Sequence, residues 1–387
     1  MKLKNRLKSF AAICCTVLFF SCVSNGQNKE NNNAKADETQ VAYIFSNHKV
    51  LPVTSVKNQS KTGTCWSFST ISFLESELLR EGKGEYDLSE IFPAYYCYID
   101  KAVKKFRRHG NSAAGEGGQA HDVINVIRSH GITPQSAYSG MLEGDTIHDH
   151  TKLSTARAEF LKTYLEKKII PENWLNDYVK ILDENIGAPP QSFEYDGKTY
   201  TPREFADMLI NPDDYVELTS YKCYPFYEKI LLEIPDNWSN DLYYNLPIDE
   251  FMQVIDNALE NGYTLVWDGD VSEAGFSHKN CIAIAPSETV DNLFAEIREE
   301  YDVDDDLRQK TFDSQETTDD HLMHLVGIST DQNGKKYYVI KNSWGTNRNS
   351  CEGFLNMSVP YARLKVVAIL INKKAIPQDI AKKLRIE

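Results

Sequence analysis

Gln59-Ser60-Lys61-Thr62-Gly63-Thr64-Cys65-Trp66-Ser67-Phe68 is the stretch on which the reading of this chain turns. Just beyond it Ile71, Leu74 and Leu78 recur at helical spacing, and Gly82 supplies a stop signal. The pattern predicts a helix that starts close to Cys65. A thiol there lies beside unpaired backbone N–H groups and the positive end of the helix dipole, and both favour the thiolate, which is the nucleophilic form. An isolated Cys is more often a buried structural residue. Its meaning therefore depends on whether the chain also supplies a base and a group that orients the base.

Two distant segments do so. Asp320-His321-Leu322-Met323-His324-Leu325-Val326-Gly327-Ile328 reads as a strand, as does Lys336 to Lys341, and Asn342-Ser343-Trp344-Gly345 follows the second strand directly. An Asn at that point can accept from an imidazole N–H and fix its tautomer, while Trp344 shields the hydrogen bond from water. His321 and His324 compete for the role of base. Residues 321 and 323 share one face of a strand and 324 takes the other, so only one of the two can face a cleft. The preceding Asp and the spacing to Gly327 select His321, and His324 is expected in the core.

Taken in order, Gln59 six residues before Cys65-Trp66, Leu88-Ser89-Glu90, Gly117-Gly118, Asp320-His321 and Asn342-Ser343-Trp344-Gly345 resemble the papain-like cysteine peptidases. The resemblance implies Cys65 as nucleophile, His321 as general acid/base, Asn342 as the orienting residue and Gln59 as a side-chain donor to the oxyanion. The backbone N–H of Cys65 would be the second donor. Trp66 and Trp344 take supporting places. Gly117 and Gly118 resemble the edge that binds substrate backbone, where a missing Cβ lets another chain approach; a plain turn ahead of a helix over 119–129 is the alternative.

Departures from papain itself point to a branch. Thr62 and Gly115 stand where disulfide-bearing relatives carry Cys, and the short stretch between Cys22 and Tyr43 leaves no room for an inhibitory propeptide. With Gly131-Ile132-Thr133-Pro134, Gly187-Ala188-Pro189-Pro190-Gln191-Ser192-Phe193, Thr201-Pro202-Arg203-Glu204-Phe205 and Lys373-Lys374-Ala375-Ile376-Pro377, these features resemble the bleomycin hydrolase and aminopeptidase C branch. The implied fold is α+β and two-lobed. It comprises a helical lobe over 43–140 with the Cys, a mostly helical insertion over 141–250, a β-barrel-like lobe over 251–377 and a tail over 378–387. The implied activity is peptide-bond hydrolysis on peptide substrates, as an aminopeptidase whose C-terminus reaches into the cleft, although Gln378 to Glu387 is short for that purpose. Endopeptidase action is the alternative within the class, and a non-catalytic peptide-binding module is the alternative outside it. The intact Cys, His and Asn speak against the latter. A homo-oligomer, hexameric in that branch, is a further family expectation.

Composition narrows the remaining classes. Over 387 residues the chain is 41% hydrophobic and 11% aromatic, which excludes disorder throughout, and its net charge of −14 offers no footprint for nucleic acid. Lys2, Lys4, Arg6 and Lys8 precede an apolar run from Phe10 to Phe20, the pattern of an export signal over 1–22. Leu18-Phe19-Phe20-Ser21-Cys22 resembles a lipobox, which would make Cys22 a lipid anchor and 23–42 a flexible tether. The expectation is an exported, membrane-anchored lipoprotein on the periplasmic or cell-surface side, with a soluble exported form as the alternative. Loss of Cys14 and Cys15 with the leader leaves Cys65, Cys97, Cys223, Cys281 and Cys351 besides Cys22, an odd set with no C-x-x-C pair. The four other than Cys65 are expected unpaired. His148 and His150 read as solvated loop residues, the acidic run from Asp302 to Asp306 reads as solvated surface, and neither a metal site nor a cofactor is expected.

Overall fold

The structure, a computed structural model, describes residues 42–167, 170–288 and 290–386. The expected leader, Cys22 and nearly all of the tether lie outside the described residues, as do Ile169 and Glu387. The first half of the chain is mainly helical: β1 (Phe45–Val50), α1 (Cys65–Arg80), α2 (Ile91–Arg107), α3 (Ala120–His130), α4 (Thr151–Lys167), α5 (Trp174–Ile186), the hairpin β2 (Phe193–Tyr195) and β3 (Lys198–Tyr200), and α6 (Pro202–Leu209). The second half alternates: β4 (Tyr215–Thr219), β5 (Lys229–Leu231), β6 (Leu242–Asn245), α7 (Ile248–Glu260), β7 (Leu265–Gly269), β8 (Phe276–Ser277), β9 (Ile282–Ala283), α8 (Asp305–Asp313), β10 (His321–Asp331), β11 (Lys336–Lys341), β12 (Phe354–Ser358), α9 (Val359–Lys365), β13 (Val366–Asn372) and α10 (Gln378–Leu384).

Local chemistry sets several of these boundaries. Thr201 caps α6 by accepting from Glu204 N, the Glu204 carboxylate accepts Thr201 N at 2.8 Å, and Pro202 takes the first helical position, which has no use for an N–H. Asp304 caps α8 by accepting from Leu307 N at 2.8 Å, and Asp305 accepts Ile248 N at 3.1 Å. The acidic run is thus partly a helix start, not only a solvated surface.

Two hydrophobic cores define the two lobes. Trp66, Phe68, Ile71, Phe73, Leu74 and Leu78 put α1 into the first, with α2 to α6. Every residue of α1 from Cys65 to Leu78 is buried, as befits a helix enclosed on all sides. Met323 and Leu325 of β10 enter the second core with α7, whereas Leu322 enters the first. The alternation along β10 therefore ties the lobes together. His324 faces α1, where its Nδ1 lies 2.8 Å from Ser72 Oγ, fully buried.

The main sheet runs β5-β6-β4-β13-β7-β10-β11-β12-β9-β8, with β1 added along β10. Among the described residues it is an open path with β5 and β8 at its ends, so the β-rich lobe is a mixed open sheet and not the barrel-like one expected. The first half of β10 pairs with β7 (His321 opposite Gly269) and the second half with β1 (Gly327 opposite Val50), while β11 occupies the other edge. Gly327 stands at the changeover. A Cβ there would sit 2.3 Å from Lys49 O and 2.9 Å from Val50 Cα, so the backbone of β1 requires glycine.

Over 141–250, where mainly helix was expected, α4, α5 and α6 with the hairpin β2–β3 fall within 151–209, and strands β4 to β6 then join the main sheet. Strands of three to five residues leave too little alternation to read. The unpaired state expected for Cys281 and Cys351 is overturned: they form a disulfide with a Cα–Cα distance of 6.2 Å. The cause is the parallel pairing of β9 with β12, which brings together segments 70 residues apart. Cys97 is free and buried, Cys223 free and exposed. The tail from Gln378 forms α10, buries Ile380 and Leu384 in the second core and bonds Lys383 Nζ to Glu250 at 2.9 Å. Its described residues pack against α7, which departs from the expected reach into the cleft.

Candidate active site

Cys65 is the first residue of α1, so its backbone N–H has no intrahelical acceptor. The loop leading to it is clamped from across the lobe. Gly63 N donates to Glu116 Oε2 at 2.7 Å, Trp66 Nε1 donates to Glu116 O at 2.9 Å, and Ser154 Oγ bonds Glu116 Oε1. Burial pushes the Glu116 carboxyl up, but hydrogen bonds from His150, Ser154 and Gly63 outweigh it and hold the group below the usual range. His148 and His150 are therefore not solvated, as the sequence suggested: they are 8% and 1% exposed. Their loop docks on the segment before Cys65 through Lys61 N to His148 O and His150 N to Lys61 O, both 3.1 Å.

His321 opens β10. The pairing that sets His324 opposite Lys341 delivers the next residue, Asn342, to His321. His321 Nε2 donates to Asn342 Oδ1 at 2.8 Å, leaving Nδ1 as the free ring nitrogen. Asn342 Oδ1 also accepts Ser343 N at 2.7 Å, and Asn342 Nδ2 donates to His278 Nδ1 at 3.4 Å. The Trp344 ring covers both imidazoles, 4.8 Å from His321 and 4.9 Å from His278. Sequence reasoning missed His278, since nothing around Ser277-His278-Lys279 distinguishes it. Gln59 is joined to the same loop: its Oε1 accepts Ser343 Oγ at 2.6 Å and its N donates to Ser343 O at 2.9 Å. Gln59 Nε2 gives one hydrogen to Thr62 O at 2.8 Å and keeps one in reserve.

Burial pushes the Cys65 thiol up to about 12; a hydrogen bond from the Leu322 backbone N–H opposes that, and the charges of Asp319, Asp268 and Asp236 add to it. Burial likewise takes His321 down to about 4 against the hydrogen bond to Asn342. Burial thus favours the uncharged thiol and the uncharged imidazole, and opposes the preference for thiolate expected from the helix start.

Gly117 and Gly118 line the same region between Glu116 and α3. A Cβ on Gly118 would stand 3.0 Å from the Trp66 ring and 2.8 Å from Asp122 Oδ2, and one on Gly117 would stand 2.0 Å from Asp236 Oδ2. Both glycines are thus required by neighbours within the chain. A groove of about 800 Å³ lined by Gly63, Gly115, Glu116, Arg157, Leu161 and Leu165 reaches to within two residues of Cys65.

A Cys at the start of a buried helix, and a strand-borne His bonded to an Asn beneath a Trp, on two lobes of this topology, mark a papain-like cysteine-type peptidase. The chain belongs to the Peptidase C1-like family, whose pattern matches residues 3–387. It is 25% identical over 383 residues to "Aminopeptidase G" of Lactobacillus delbrueckii subsp. lactis, covering 87% of this chain and 84% of that one. To "Aminopeptidase C" of Lactobacillus helveticus it is 23% identical over 371 residues, covering 84% and 81%. The crystal structure of PepW from Lactobacillus rhamnosis shares the fold, with a TM-score of 0.70 over 88% of this chain and 84% of that chain at 19% identity.

Proposed function

We propose that the chain is an exported cysteine aminopeptidase of the bleomycin hydrolase and aminopeptidase C type, with Cys65, His321 and Asn342 as its triad. The observation that carries this reading is the 2.8 Å bond from His321 Nε2 to Asn342 Oδ1, which fixes the tautomer whose Nδ1 is free to take a thiol proton. In the first step Cys65 Sγ attacks the carbonyl carbon at the substrate's N-terminal residue while its proton passes to His321 Nδ1. The developing oxyanion takes hydrogen bonds from the Cys65 backbone N–H and the spare Nε2 hydrogen of Gln59. His321 then protonates the leaving amine, the C–N bond breaks, and water activated by the same imidazole releases the acyl group from sulfur. Asn342 stabilises the transient imidazolium, and Trp344 keeps water from that bond.

Aminopeptidase action draws support from the names of the relatives, and export from the leader pattern and a disulfide suited to an oxidising compartment. Anchoring through Cys22 belongs to the same proposal. The test compares an unblocked amino-acid amide with its N-acetyl twin, alongside alkylation by iodoacetamide and peptide mapping. Turnover confined to the free amine and abolished by Cys65→Ala is expected. Equal turnover of the two amides removes the aminopeptidase reading in favour of an endopeptidase, and loss of turnover that tracks alkylation of a Cys other than Cys65 removes Cys65 as nucleophile.

A further inference from the structure

Beside Cys65 lies more carboxylate than the triad chemistry uses. Asp319, two residues before His321, accepts Gln119 Nε2 at 2.8 Å, and Gln119 directly follows Gly118. On the adjacent strand Asp268 pairs with Leu322, and its carboxylate meets that of Asp319. Asp268 is 2% exposed, and neither Oδ1 nor Oδ2 has a donor among the described residues. Asp236, half-buried in the loop between β5 and β6, rests against Gly117. Its loop is pinned by Trp238 Nε1, which donates to Asp122 Oδ2 at 2.8 Å. The nearby cation, Lys101, is committed elsewhere: its Nζ bonds the carbonyls of Gly115 and Gly117.

Asp268 is a buried carboxylate with no donor, set against a second carboxylate whose single donor is Gln119, an arrangement that favours a proton or a cation between the two. Burial, reinforced by the charge of Asp236, pushes Asp319 up to about 7, and burial with the Asp319 charge pushes Asp268 well above the usual carboxylate range. Two negative charges side by side are therefore disfavoured, and a positive group between them relieves that cost. An ammonium group fits that vacancy in the hydrogen bonding, with three N–H donors for three carboxylates. The position suits a substrate's N-terminus, because a chain laid along Gly117-Gly118 with its first carbonyl at Cys65 puts its amino end beside Gln119 and Asp319.

We propose that Asp319 and Asp268, with Asp236 at the rim, seat the α-ammonium group of the substrate, so that a pocket inside the cleft selects unblocked N-termini. This rests on the aminopeptidase reading given above. A basic side chain offers the same chemistry from a second source, and the test separates the two.

Asp319→Asn, Asp268→Asn and Asp236→Asn are assayed in the full chain on three substrates: a free-amine alanyl amide, its N-acetyl twin, and an N-acetyl dipeptide amide with Arg one residue before the cleaved bond's acyl residue. The expected result is a rise in KM of about ten- to hundredfold for the free amine in Asp319→Asn, the scale of one lost charged hydrogen bond, with kcat changed far less and no such rise in the inhibition constant of the acetylated compounds added as competitors. Asp236→Asn, on the half-buried rim, should shift KM the same way by a smaller factor and covers the case in which the buried variants do not fold. If the parent enzyme turns over free and blocked amides equally, the aminopeptidase reading has failed. If the parent prefers the free amine and all folded variants keep that preference, this pocket alone has failed. Loss confined to the Arg substrate assigns the pocket to a side chain and overturns the α-ammonium proposal.

Discussion

Replacing Asn342 by Ala tests the orienting bond while leaving sulfur and imidazole in place. Asn342 Oδ1 accepts two hydrogens in a buried setting, from His321 Nε2 at 2.8 Å and Ser343 N at 2.7 Å, beneath the Trp344 ring. The bond to His321 becomes charge-assisted when the imidazole takes the thiol proton, and it strengthens at that moment. Its loss should then cost about 2–3 kcal/mol of transition-state stabilisation, which is roughly a 30- to 150-fold fall in kcat/KM. Because the bond is worth more in the charged state than in the resting one, the fall should lie in kcat, with KM little moved. Steady-state hydrolysis of a free-amine amide measures it, with thermal unfolding of the same samples as the check on folding. Asn342→Asp supplies the complementary arm. A carboxylate beside His321 raises a group that burial holds down at about 4, so the imidazole stays protonated to higher pH and the acidic limb of the pH profile moves upward. A folded Asn342→Ala enzyme with kcat/KM within about threefold of the parent, or an unshifted acidic limb in Asn342→Asp, would refute the orienting role.

Glu90 gives a stability prediction with a definite sign. Burial, with the charge of Glu75 adding and Lys57 opposing, pushes its carboxyl up to about 8, far above its unfolded value. Its contribution is complete below the unfolded pKa and is lost as pH rises through the folded one, by at most about 1.4 kcal/mol per pH unit. Glu90→Gln should flatten the dependence of melting temperature on pH between about 5 and 8, and an unchanged slope would assign that dependence to other groups. Cys281→Ser should lower unfolding stability by about 4 kcal/mol, the entropy of the closed loop in the chain-entropy account, read in urea titrations. Recovery of Cys281 and Cys351 as two alkylated thiols without reductant would dismiss the bridge.

Much of the site could be read directly from local chemistry. The helix at Cys65, the strand at His321 and the turn at Asn342 each declare themselves within about ten residues, through apolar period and terminal signals. Gly327 was visible as part of a spacing, but its reason, the backbone of β1 crossing at a distance no side chain permits, exists only once β10 changes partner from β7 to β1. His278, Asp268 and the Cys281–Cys351 bridge were illegible for the same cause. Each acquires its neighbours from strand pairing between segments far apart in the chain. His148 and His150 were misread because a polar composition, Ile147-His148-Asp149-His150, conceals a loop that is folded against Lys61 and Glu116.

The placement of His321 on β10 also bears on how activity is lost. That strand is flanked on both edges, by β7 and β1 on one side and β11 on the other, and is buried from His321 to Ser329. Fraying of the sheet begins at its ends, at the short strands β5 and β8, which stand several neighbours away. Amide protons along β10 belong to the slowest-exchanging class of such a fold, released only when the whole unit opens. The strand that carries the imidazole is accordingly among the last parts of the sheet to open, and loss of His321 from its place reports the cooperative unfolding of the two lobes together.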